Sequence, residues 1–160
     1  MRLVVLLPGR LRSDPVRSLV DEYAERCRSF GATLLVDPVK QQPERGASPR
    51  EAAEALEREA AALLARVPPG ARTVALDERG ELPTSRALAA RLRDWRDGGS
   101  PSVAFLVGSA RGLAPSAVAA AHWRLSLSRL TLPHELAVAV LAEQLYRALS
   151  ILANHPYHRD

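Results

Sequence analysis

Four short apolar runs, each followed by a segment with helical spacing, leave this chain few architectures to choose from. The runs are RLVVLLP (2–8), ATLLVDPV (32–39), RTVALD (72–77) and SVAFLVG (102–108), all partly β-branched. Between the first two, Val16, Leu19, Val20, Tyr23, Cys27 and Phe30 recur at the spacing of one helical face. Leu56, Ala60, Leu63, Leu64 and Val67 do the same after the second run, and Leu88, Leu92 and Trp95 after the third. The β–α order, repeated, predicts an α/β fold: a parallel sheet with helices on both faces.

Punctuation supports these boundaries. Asp14-Pro15 and Ser48-Pro49 each read as an N-cap followed by a proline at the first helical position, and Thr84 or Ser85 caps the third helix. Gly9, VPPGA (67–71), ERGE (78–81) and DGG (97–99) close elements. KQQPERGASP (40–49) is polar and turn-rich, and is expected to be the mobile segment. After GSARGLAPS (108–116) comes a small Ala-rich helix. WRLSLSRLTLP (123–133) reads as part strand, part loop, and a last helix as His134 to Leu152.

At 160 residues the chain is expected to form one domain, 1–160. No apolar run approaches the ~18 residues of a membrane span. MRLVVLLPGR is too brief for a secretory signal, so a cytoplasmic protein is expected. Cys27 is the single cysteine, which excludes a disulfide framework within one chain, and it lies on the core stripe as an inert thiol. The net charge of +4 is compatible with a nucleic-acid partner, although the richness in Arg also fits a coding bias.

Parallel sheets bind ligands beyond the carboxyl ends of their strands. Here those ends are LPGR (7–10), LDERG (76–80), VGSARG (107–112) and SLSRLTLPH (126–134). GSARGL (108–113) matches neither a phosphate loop nor a dinucleotide fingerprint. Its glycines permit a tight turn and also let backbone approach a cofactor. His134-Glu135 resembles a zinc-protease helix only in its first residues, because position 138 is Val138. His155 and His158 are spaced like a ligand pair, but Pro156 between them prevents a regular helical turn, and no metal is expected. His122, beside Trp123, reads as a surface or hydrogen-bonded residue. Leu136, Val140, Leu141, Leu145, Leu149 and Leu152 give the last helix a wide apolar stripe, suited to the centre of the fold or to a subunit contact. Either role anchors the closing segment NHPYHRD (154–160) to rigid structure.

LSLSRLTLPH (125–134), AEQLYRA (142–148) and NHPYHR (154–159), with VALDERGE (74–81), resemble the signature segments of the ribosomal large-subunit methyltransferase H family. These are SPOUT-class enzymes that methylate N3 of a pseudouridine in 23S rRNA. The resemblance implies a C-terminal trefoil knot, a homodimer, and S-adenosylmethionine as cofactor. Carried over by position, the cofactor contacts are Leu76, Gly108, Leu127, Ser128, Arg129, Leu130, Thr131 and Leu132. Two departures stand out. The family's glycine pair and acid, as in GGPEG, are replaced by Gly108-Ser109-Ala110-Arg111-Gly112, and Val138 stands where the family has Arg.

On this reading the tail carries the chemistry. His155 or His158 accepts the N3 proton, with substrate-bound water as the alternative. Tyr157 stacks on the base or bonds its edge. Arg159, with Arg147, holds phosphate or a developing negative charge. One subunit is expected to hold cofactor while the other helps to dock RNA. An inactive rRNA-binding relative and a methyltransferase of another RNA stand as rivals.

Overall fold

The computed structural model describes residues 1–40 and 48–157. Residues 41–47, most of the expected mobile segment, and 158–160, with His158 and Arg159, lie outside the described residues. The elements follow the alternation read from the sequence: β1 (Arg2–Pro8), α1 (Asp14–Arg28), β2 (Thr33–Val39), α2 (Pro49–Leu64), β3 (Arg72–Glu81), α3 (Ser85–Asp97), β4 (Ser102–Leu106), α4 (Pro115–Ala120), β5 (Trp123–Leu125) and α5 (His134–Leu152). The five strands form one parallel sheet in the order β2-β1-β4-β3-β5.

Both faces of the central strands are covered, which is why the runs are apolar throughout. Leu3, Val5 and Leu7 of β1 pack with Val20, Leu88, Leu92 and Leu145 from α1, α3 and α5. The alternate residues Val4 and Leu6 pack with Ala60, Leu63 and Ala117 from α2 and α4. Within the first of these layers α5 packs against both α1 and α3, the central position its apolar stripe calls for. No helix among the described residues is long and apolar enough to cross a membrane. Cys27 is fully buried, and desolvation pushes its thiol up to about 11, consistent with inert packing.

Two local readings are corrected by the structure. The N-cap of α1 is Ser13, not Asp14: the Ser13 side chain accepts from the Val16 N–H. Asp14 sits in the first turn and pairs with Arg17. The N–H groups of Arg12 and Ser13 donate to Glu135 of α5, at 2.8 and 3.0 Å, so the starts of α1 and α5 are tied together. ERGE does not end the third strand either. Leu76 and Glu81 of β3 both pair with Leu125, so Asp77 to Gly80 bulge out of the ladder. Gly80 permits this, since a Cβ there would lie 2.7 Å from the Arg124 carbonyl carbon. The caps of α2 and α3 are Ser48, with a Glu51 capping box, and Thr84, whereas α4 and α5 begin at Ala114 and Pro133 without a side-chain cap bond.

Candidate active site

A cleft of about 670 Å³ opens beyond the carboxyl ends of β3, β4 and β5. Three chain segments build it: the β3 bulge, the turn after β4, and the long connection from β5 into α5. LPGR, at the end of β1, does not line it. The volume is of the size that holds a small-molecule cofactor.

Each wall has a local cause. In the bulge, Asp77 accepts from the Arg79 N–H at 2.8 Å and from Arg124 at 3.1 Å, with its side chain 8% exposed. Burial opposes its charge, but the Arg79 N–H and guanidinium together with Arg124 outweigh it and hold the carboxyl below its usual range. In the turn after β4, Ser109 and Gly112 form an isolated bridge, closed by the Gly112 N–H on the Ser109 carbonyl at 2.8 Å. Gly112 has φ +80°, and a Cβ on Gly108 would stand 2.2 Å from the Gly112 carbonyl carbon. Only glycine fits at either position. The third wall shapes itself: the Ser126 hydroxyl donates to the Ser128 carbonyl, and the Ser128 hydroxyl accepts from the Leu130 N–H, both at 2.9 Å. Leu130 projects from this wall, 77% exposed.

The described part of the closing segment, residues 154–157, is held just as specifically, but elsewhere. Asn154 takes φ +52° after the last turn of α5. The N–H of Asn154 donates to Ile151 and that of His155 to Ser150. This double bond pattern with a left-handed residue is a Schellman stop, and it folds the chain back instead of letting it fray. The His155 ring meets Phe30 edge-on at 5.5 Å, and Tyr157 packs on Tyr146 at 4.6 Å. The Tyr157 hydroxyl donates to Glu143 at 3.0 Å, and the Arg147 guanidinium lies 4.9 Å from the centre of its ring. Arg147 also donates to Glu143 from Nε at 2.9 Å, a bond that strengthens its charge. Desolvation, then the hydroxyl of Tyr23 and the Glu143 carboxylate, push the Tyr157 phenol well above its usual range. It is a donor here, not a base. His155 Nδ1 accepts from the Tyr157 N–H at 3.2 Å, so the neutral ring carries its proton on Nε2.

A family model described as "Predicted SPOUT methyltransferase" matches residues 1–158. The chain belongs to the SPOUT methyltransferase family. Among its relatives, the ribosomal RNA large subunit methyltransferase H of Hyphomonas neptunium is 45% identical over 160 residues, covering 99% of both chains. That of Rhodospirillum centenum is 47% identical over 160 residues, again covering 99% of each. In fold, the chain is similar to the crystal structure of a probable methyltransferase from Bordetella pertussis Tohama I. The TM-score is 0.53 at 23% identity, over 92% of this chain and 95% of that one.

In this SPOUT methyltransferase the sequence-expected residues fall into two groups. Leu76, Gly108, Leu127, Ser128, Leu130, Thr131 and Leu132 come together around the cleft, while Arg129 is exposed on the same connection without lining it. His155 and Tyr157 sit at the other end of α5. That helix has 19 residues, which separates the groups by about 28 Å. His122 is exposed and hydrogen-bonded: its Nδ1 accepts from the Thr73 N–H at 3.0 Å, and its own N–H donates to the Thr73 carbonyl. The sequence motifs do not single out Glu143, although AEQLYRA contains it, and they mark Ser109 only as a departure within GSARG, with no role. Their signal is positional, and only the folded chain shows what each faces.

Proposed function

We propose that this protein transfers a methyl group from S-adenosylmethionine to N3 of a pseudouridine in 23S rRNA, in the cytoplasm, as a homodimer of single-domain 1–160 subunits with a trefoil-knotted cofactor site. The observation that carries the reading is the similarity to ribosomal RNA large subunit methyltransferases H, 45–47% identical over 99% of both chains.

The cleft suits this cofactor. Leu76, Leu127 and Leu132 supply apolar walls for an adenine ring, and the tight Gly108–Gly112 turn lines the cleft beside them. When bound, S-adenosylmethionine supplies an electrophilic methyl on a sulfonium. The protein must hold the uracil-like ring in line with that methyl and remove the N3 proton.

The tail supplies those groups, from the partner. Within one subunit about 28 Å of helix separates it from the cleft, so a second subunit placed with its α5 running the opposite way brings a tail to each cleft. His155 presents Nε2–H outward while Nδ1 is engaged, which makes it a donor to the base or its phosphate. His158 then takes the proton-acceptor role, and Arg159 steadies phosphate or imide charge. Arg147 is committed to Glu143 and Tyr157, and serves by holding the tail.

Incubating the protein with labelled S-adenosylmethionine and large subunits or ribosomes from a strain lacking its gene, then mapping 23S rRNA by mass spectrometry, tests this. One added methyl on a pseudouridine is expected. No label on 23S rRNA, or label on another RNA, would overturn it.

A further inference from the structure

The hydroxyls around the cleft are not equivalent. Those of Ser126 and Ser128 are used to shape their own connection. Ser109 differs: the residue lines the cleft and is 7% exposed, yet its Oγ has no hydrogen-bond partner among the described residues. A buried hydroxyl without a partner is unfavourable, and native structures keep such groups where a ligand or a water completes them. The turn that carries it is tight: Gly112 takes φ +80°, and a Cβ added at Gly108 would stand 2.2 Å from the Gly112 carbonyl carbon. Rotation about χ1 carries the Oγ among three staggered positions without moving that turn.

We infer that Ser109 is a cofactor-affinity residue: its hydroxyl hydrogen-bonds a polar group of bound S-adenosylmethionine, which provides the partner that it lacks among the described residues. The inference rests on the cofactor assignment above.

Isothermal titration of S-adenosylmethionine into the full-length wild type and into Ser109→Ala separates the two. The variant is expected to bind about three- to tenfold more weakly, the range for one neutral hydrogen bond. Its ligand-free melting temperature is expected to stay equal or rise, since removing an unpaired buried hydroxyl costs the fold nothing. With saturating ribosomes, the cofactor KM should rise while kcat holds. Affinity within twofold of wild type would overturn the inference. So would a ligand-free melting temperature several degrees lower, which would assign the hydroxyl a structural partner. A flat titration of the wild type itself would instead sink the cofactor assignment, and this inference with it.

Discussion

Tyr157 shows how much of the tail's order rests on single atoms. Its hydroxyl donates to Glu143 at 3.0 Å and its ring packs between Tyr146 and Arg147. Tyr157→Phe keeps the ring and loses the bond, and should lower stability by about 1 kcal/mol at pH 7 in urea unfolding. The phenol is raised in the folded state, so its contribution is complete below the ordinary tyrosine pKa of about 10 and is lost as pH rises through the folded value. Wild type and variant should therefore converge only at strongly alkaline pH. Absorbance at 295 nm should show a late-titrating tyrosine in the wild type that is missing from Tyr157→Phe. Gly108 is the other position without latitude. Gly108→Ala places a Cβ 2.2 Å from the Gly112 carbonyl carbon, which forces the turn open. It should weaken S-adenosylmethionine binding by more than ~10-fold in calorimetry, with the sheet intact by circular dichroism.

Among elements, the pairing of α1 with α5 is decisive. Glu135 opens α5, and its carboxylate accepts from the N–H groups of Arg12 and Ser13 at the start of α1. Those two bonds, that of Arg12 first, hold the carboxyl below its usual range. A depressed carboxylate stabilises the fold above its unfolded pKa of about 4.3 and loses that contribution as pH falls through the folded value. Glu135→Gln should cost about 1 kcal/mol near neutral pH, and thermal melts of wild type and variant should converge below pH ~4. At the far end of the same pair, Phe30, Tyr23 and Tyr146 form the aromatic bed on which His155 and Tyr157 rest. One helix pair thus fixes the entry to the cleft at one end and the tail at the other.

For the whole molecule, the separation of cleft and tail has a direct consequence. If each active site combines one subunit's cleft with its partner's tail, two inactive variants should complement each other. Gly108→Ala, defective in the cleft, mixed with a chain lacking residues 154–160, should regain methyl transfer in heterodimers. Each heterodimer restores one intact cleft facing one intact tail. A mixture that stays as inactive as its parts, after subunit exchange is verified, would place the tail's action within its own chain.

The sequence by itself determined what short-range physics controls. Buried strands must be apolar on both faces, so the runs at 2–8 and 102–108 announced a covered parallel sheet. Helical spacing placed α5 from about His134 to Leu152, the span it has in the structure. Strand ends pointed to the cleft, because a parallel sheet leaves its ligand crevice there. What needed the tertiary structure were features set by residues far apart in the chain. The start of α1 is tied, through the N–H groups of Arg12 and Ser13, to a glutamate more than a hundred residues away. The ERGE segment is a bulge because β5 pairs on either side of it. The orphaned hydroxyl of Ser109 and the Glu143–Tyr157 bond exist only once the chain has closed. Local propensity can place a helix or strand, but the partner of a polar atom is decided by packing.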